Sequence, residues 1–257
     1  MRLLINGSSS AGNGYALISE SGEILLLETG IKARNTIKAI DYQTSKVVGC
    51  LVSHSHGDHA KYAKELSSYG ITIASNSDVQ EKKDIDPTLF RLIEEGKTYS
   101  FGQFMVAPFN VKHDVPALGF LIRHQECGTV LFATDCTTLP YRFPSVSHFI
   151  IEANYSDDIV DKNILSGIEP YFRKQRLLQT HMSIDSTISS IRSCNPKQTR
   201  TIVLIHLSSL NADPDIFQQK VAAAFGIPTY IAKPHTIIKL WFTTSTTRVS
   251  IWMPLTL

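Results

Sequence analysis

Cysteine is scarce and scattered. Cys50, Cys127, Cys136 and Cys194 are the four in 257 residues, and the lack of any Cys-x-x-Cys pair excludes a zinc knuckle and argues against a disulfide framework. Long apolar runs are also missing. No stretch approaches the roughly 18 residues that a bilayer-spanning helix needs, and the opening Met1-Arg2-Leu3-Leu4-Ile5-Asn6-Gly7 meets Gly and Ser before a secretory core could form. Neither sign of charge dominates: 25 Lys+Arg against 23 Asp+Glu leave a net +2, too little to mark a nucleic-acid binder through its global field. Repeats, low-complexity tracts and a domain-parting linker are absent, the nearest stretch to a linker, 76–87, being charged but short. These absences predict a soluble, cytoplasmic chain with reduced thiols, folded as a single domain over residues 1–257.

What the chain has instead is a series of short apolar runs bounded by turn residues. Residues 3–5, 24–27, 47–52, 71–74, 104–109, 120–123, 130–133, 149–151 and 202–205 read as strands, many of them buried on both faces. Helical periodicity points to 31–40, 58–68, 87–95, 184–193 and 214–225, the last opened by Asp213 as N-cap with Pro214 at the first position and closed by Gly226 and Pro228. Residues 236–242 and 248–252 read as a hairpin, joined by a polar Thr-Thr-Ser-Thr-Thr turn, that finishes the sheet. The expected fold class is α/β.

Directly after the strand at 47–52 comes His54-Ser55-His56-Gly57-Asp58-His59. Side chains at alternate positions of a strand end reach the same side, so His54 and His56 can converge on one ion, while Asp58 and His59, in the first turn of the next helix, face a second. Gly57 permits the tight turn between them. A histidine-rich polar loop would assemble this pattern by chance in roughly one such chain in two thousand, so accident is set aside. Two ions need more ligands. His113, Asp135 and His206 each stand where an apolar run stops; singly, each is an ordinary strand-end residue, but together they share one setting. Imidazole and carboxylate donors suit two divalent ions, zinc first, or manganese with more oxygen donors.

The order His-x-His-x-Asp-His, His, Asp, His resembles the metallo-β-lactamase-fold hydrolases, which implies a four-layer αβ/βα sandwich with its site at the sheet edges. Within that superfamily, Gly7-Ser8-Ser9-Ser10-Ala11-Gly12-Asn13, His113-Asp114 with Pro116-Ala117-Leu118-Gly119-Phe120, Thr134-Asp135, Glu152-Ala153-Asn154-Tyr155 and His206-Leu207-Ser208 look like the YycJ branch, whose members are common in phages and prophages. The RNase Z enzymes share part of the pattern. The resemblance implies that His54, His56 and His113 hold one ion, Asp58, His59 and His206 the other, and Asp135 bridges them. Many antibiotic-cleaving lactamases place cysteine at the bridging position, and Cys136 falls one residue too late for it. Glu28 stands where many relatives carry aspartate; its longer side chain is expected to steady the metal loop from behind the ligands.

Paired ions of this kind activate water and steady a phosphodiester, so the leading expectation is a metal-dependent phosphodiesterase, a nuclease acting on DNA or RNA. The alternatives are a phosphodiesterase that degrades a cyclic nucleotide signal, as phage anti-defence proteins do, a thioester or lactone hydrolase, and an inactive metal-binding or interaction protein. A homodimer is open. Asp58 is the expected orienter of the attacking water. Either His181 gives the leaving group its proton with Glu152 tuning it, or His181 merely caps the helix near Ile184 and Glu152 ends a strand in solvent. Ser208 and Asn211 are candidate phosphate donors, though their segment is equally a polar loop before an N-cap. Lys32, Arg34, Lys61, Lys64, Arg142, Arg173, Lys174 and Arg176 read first as a solvated face, and Tyr141 and Tyr155 as packing residues. His124, His148 and His235 match no metal position.

Overall fold

Alternating apolar side chains let one strand serve two packed layers at once. In the computed structural model, which describes residues 1–241 and gives Arg173 by its backbone, two seven-stranded sheets stack face to face. The first contains β1 (Arg2–Gly7), β2 (Gly14–Ile18), β3 (Ile24–Leu27), β4 (Val47–Leu51), β5 (Ile73–Ser75) and β6 (Phe90–Leu92) in chain order. The second runs from β7 (Tyr99–Phe101) through β8 (Phe104–Val111), β9 (Ala117–His124), β10 (Gly128–Ala133), β11 (His148–Glu152) and β12 (Thr201–Ile205) to β13 (Thr229–Ile231). The last described strand, β14 (Thr236–Lys239), returns to the first sheet and pairs antiparallel with β1, placing Ile238 opposite Leu3.

Helices α1 (Ala33–Ala39), α2 (Gly57–Ala60), α3 (Ala63–Ser67) and α4 (Ser77–Lys83) cover the first sheet, and α7 (Ile184–Ser193) and α8 (Pro214–Phe225) cover the second. Between them, α5 (Asp157–Leu165) and α6 (Tyr171–Thr180) add no side chain to either packed layer among the described residues. The alternation is plain in β12: Val203 and Ile205 enter the core between the sheets, and Ile202 and Leu204 pack under α7 and α8. Leu3 and Ile5 of β1 likewise face inward while Leu4 faces the helices. This is the expected four-layer sandwich. No helix among the described residues is long and apolar enough to cross a membrane.

The helices at 184–193 and 214–225 form over those residues. Ser183 caps α7 by accepting from the Ser186 amide at 3.2 Å, and Asp213 caps α8 by accepting from Asp215 and Ile216 at 3.1 and 3.0 Å. The helix expected at 87–95 does not form. Asp86 caps one short turn at Pro87–Leu89, after which Phe90–Leu92 extends to pair with Ile73–Ser75, so sheet pairing overrides local periodicity. The helix expected at 58–68 breaks at Tyr62, whose amide is drawn to the Thr29 carbonyl at 2.9 Å. The linker-like stretch holds α4, N-capped by Asn76, and α5, α6, β2, β7 and β13 are elements that periodicity missed. The second hairpin arm at 248–252 lies outside the described residues.

His148 opens β11 fully buried, and burial pushes its pKa down to about 4. A folded-state pKa below the unfolded value of about 6.5 makes the unfolded chain bind the proton first, so stability present above pH 6.5 is lost as pH falls towards 4. Denaturant titrations at pH 7 and 4.5 are expected to show His148→Leu losing about 2–3 kcal/mol less than the unaltered chain. Identical pH dependence in the two proteins would contradict this account.

Candidate metal centre

Strands of both sheets end at one edge of the sandwich, and every strong sequence candidate stands there. Beyond β4, the turn carrying His54 is held by Glu28, whose Oε2 accepts from the Ser53 amide at 3.3 Å. His54 Nε2 and His113 Nε2, the latter just past β8, each lie 3.1 Å from His56 Nδ1. The outward nitrogens have other partners: His54 Nδ1 meets Ser53 Oγ at 2.9 Å, His113 Nδ1 meets the Thr180 carbonyl at 3.2 Å, and His56 Nε2 meets Asp114 Oδ1 at 3.3 Å. With their single protons directed outward, neutral rings would turn three lone pairs towards one another, an arrangement a shared cation resolves.

A second group lies beside the first. Asp58 Oδ2 is 3.3 Å from His59 Nε2 and 3.1 Å from His206 Nε2. Asp135, at the end of β10, approaches His59 with Oδ1 at 3.2 Å and His54 and His113 with Oδ2 at 3.8 and 3.9 Å. One donor atom from each of His54, His56, His113 and Asp135 lies within 4.8 Å of the others, and so do those of Asp58, His59, Asp135 and His206. The residues fit a pair of divalent ions in number, donor type and convergence.

Electrostatics point the same way. Burial, reinforced by the neighbouring His59, holds His54 well below the usual histidine pKa, so it stays neutral. Burial opposes the charging of His59 and His206, yet Asp135 overcomes it in both, raising His59 well above its ordinary value and His206 to about 10. Asp58 and Asp135 are kept well below the ordinary carboxylate range against burial, Asp58 by hydrogen bonds from His206 and His59 and Asp135 by the charges of the same two rings. The pocket is thus a negative cluster that draws positive charge.

Glu152 does not end in solvent. It is fully buried at the end of β11; its Oε1 receives His181 Nδ1 at 2.7 Å and His206 Nδ1 at 3.0 Å, and its Oε2 accepts from the Met182 amide at 3.1 Å. Nor does His181 cap α7, a role taken by Ser183; its ring stacks on His206 at 5.4 Å. A cavity of about 530 Å³ opens over Asp58, Asp135, His181 and His206, with Arg176, Leu177 and Thr180 of α6 on its wall. Ser208 and Asn211 are not among its lining residues. Ser208 Oγ accepts from the Asn211 amide at 3.1 Å, and the buried Asn211 side chain donates to Glu169 at 2.8 Å and accepts from Asn163 at 2.9 Å, tying the loop to α5.

Two participants had no role in the sequence reading. Asp114 reaches His56 at 3.3 Å and His113 at 3.1 Å, and its adjacency to His113 was the available signal. Asn13 brings its amide to 3.2 Å from His59 Nε2, and nothing in its local sequence announces a contact 46 residues away.

No protein-family model matches the chain. It is 25% identical over 224 residues to the exodeoxyribonuclease WalJ of Streptococcus pneumoniae, covering 80% of this chain and 81% of that protein. It is 23% identical over 230 residues to the exodeoxyribonuclease YycJ of Bacillus anthracis, covering 84% and 85% respectively. Among solved structures, the metallo-β-lactamase-fold protein YhfI of Bacillus subtilis superposes with a TM-score of 0.72 at 18% identity, over 93% of this chain and 99% of that one. Two stacked mixed sheets with helices outside and a histidine-aspartate cluster at their edge define the metallo-β-lactamase fold, and this chain has it. The chain is a metal-dependent hydrolase, similar over most of its length to the WalJ and YycJ exodeoxyribonucleases.

The loop carrying Asp58 and His59 is clamped by backbone hydrogen bonds, to which the Asn13 and Thr29 side chains add, donating to the Asp58 and His59 carbonyls at 3.3 and 3.0 Å. Through their backbone amides, Asn13 donates to the Asp58 carbonyl at 2.8 Å, Thr29 to that of His59 at 2.6 Å, and Gly30 to that of Asn13 at 2.9 Å. A Cβ on Gly30 would sit 1.7 Å from the Asp58 carbonyl oxygen. Gly30→Ala is therefore expected to cost about 3 kcal/mol in denaturant titration and to lower the metal content on reconstitution. Unchanged stability and full metal content would show that the clamp is dispensable.

Proposed function

We propose that the chain is a phosphodiesterase, specifically a nuclease acting on DNA or RNA, that works with two divalent ions. His54, His56 and His113 would hold one, Asp58, His59 and His206 the other, and Asp135 would bridge. The observation that carries this reading is the placement of Asp135, with one carboxylate oxygen 3.2 Å from His59 and the other 3.8 Å from His54. An imidazole-rich donor set suits zinc, with manganese the second choice. The naming of WalJ and YycJ as exodeoxyribonucleases supports nucleic acid as the substrate.

Bound there, two divalent ions supply Lewis acidity that activates water and neutralises the charge of a phosphodiester. The chain's own residues do the rest. Asp58, on the cavity floor, orients the attacking water by accepting its proton in a hydrogen bond. His181 faces the same cavity, and its Nδ1 is committed to Glu152 at 2.7 Å, which leaves Nε2 to protonate the departing oxygen. Burial opposes a charge on His181, but the Glu152 carboxylate raises its pKa above the ordinary value and keeps it loaded for that task. Glu152 cannot turn away, because it also holds His206 and a backbone amide.

Two variants test this. With zinc or manganese supplied, the unaltered chain is expected to cleave single-stranded oligonucleotides and bis(p-nitrophenyl) phosphate, and Asp58→Ala to lose both activities; equal activity in the two proteins would overturn the mechanism. A p-nitrophenolate leaves without a proton, whereas a nucleotide hydroxyl needs one. His181→Ala is therefore expected to lower kcat about 10²–10⁴-fold on oligonucleotides and far less on the nitrophenyl ester. Equal losses on both substrates would remove the general-acid role.

A further inference from the structure

Helix α6 is placed unlike the other long helices. It walls the cavity with Arg176, Leu177 and Thr180 while adding nothing to the packed layers. Its ten residues carry three cations, Arg173, Lys174 and Arg176, and no acid. Lys174 is tied to Asp161, whereas no ion pair engages Arg176 among the described residues. Phe172 stands one turn before Arg176 on the same face and is 70% exposed, and its neighbour Tyr171 is 65% exposed. An aromatic side chain left this open on a helix that borders a catalytic cavity has no packing role to explain it.

We infer that α6 is the ledge on which a single-stranded nucleic acid lies as its end enters the cavity, with Phe172 stacking on a base and Arg176 pairing with a backbone phosphate. The inference rests on the nuclease reading above. At 1.5 Å per residue, Phe172 lies about 6 Å along the helix from Arg176 and about 12 Å from Thr180. That run is about three to four nucleotide steps at helical rise. An aromatic face followed by a guanidinium matches the alternation of base and phosphate in a strand. Bases paired within a duplex offer no free face to Phe172, so the fit is to a single strand. Arg176 adds charge complementarity where the phosphates must pass. Leu165 and Ile168, 88% and 60% exposed at the preceding corner, make a second copy of the chain the competing occupant, and the test separates the two.

The metal-reconstituted full chain is titrated against a fluorescent phosphorothioate single strand, which resists cleavage, with binding read by fluorescence anisotropy at several salt concentrations. Phe172→Ala is expected to weaken binding about five- to a hundredfold and Phe172→Trp to restore it. Arg176→Ala is expected to reduce the slope of log affinity against log salt by about 0.7, the value for one phosphate contact on a single strand. Both positions are exposed, and circular dichroism with thermal melting confirms that the variants fold. Unchanged affinity in Phe172→Ala would overturn the inference. So would sedimentation showing that Phe172→Ala turns a dimer into a monomer while strand affinity holds, which would assign the ledge to a second copy. Failure of the unaltered chain to hydrolyse bis(p-nitrophenyl) phosphate would count against the hydrolase reading instead, and the binding comparison would still decide the role of α6.

Discussion

Charge concentrated where water is excluded governs this molecule. Asp135 and Glu152 are buried within reach of His54, His59 and His206, and together they form a cluster that a folded protein tolerates only if opposite charge and fixed hydrogen bonds compensate it. Without ions, protons provide that compensation, which is why His59 and His206 are held protonated. A divalent pair would do so more effectively and displace those protons, coupling ion binding to the stability of the whole sheet edge.

The backbone is bent to deliver the cluster. Glu28, Asp135 and His206 each follow a strand and adopt left-handed conformations, with φ of 65°, 50° and 55°. Such a conformation is disfavoured for residues with a side chain, and three of them around one site imply surroundings that over-determine it. Those surroundings are visible: Ser8 accepts from the His206 amide at 2.9 Å, Asn154 donates to its carbonyl at 2.8 Å, and Thr134 donates to Asp135 Oδ1 at 2.6 Å. The segments carrying the sequence similarity to the YycJ branch, around Ser8, Asp135, Asn154 and His206, are the ones that hold this geometry.

Legibility in the sequence followed physical scale. Buried strands such as β3 and β12 were readable because both faces are apolar, and α7 and α8 because their caps sit next to them in the chain. The His54–His59 turn was readable because its donors are local. β6 was misread because its partner, β5, decides its conformation, and α5 and α6 were missed because neither presents an apolar stripe to a core. Glu28 was legible only as a departure from aspartate, yet its carboxylate sits 3.5 Å from His59 Nδ1 and holds the Ser53 amide, reaching the loop as its extra methylene allows. Asn13 acts through a contact that no spacing rule encodes, Asp114 was legible only through its adjacency to His113, and Ser208 and Asn211, chosen for chemistry in a loop, hold that loop together and against α5 and Glu169.

The proposed chemistry depends on two cations sharing one aspartate. Anomalous diffraction from crystals of the zinc-reconstituted chain addresses that directly. Two peaks are expected, one among His54, His56 and His113 and one among Asp58, His59 and His206, with Asp135 contacting both, and Asp135→Ala is expected to lose at least one. A single peak, or two that persist unchanged without Asp135, would contradict it.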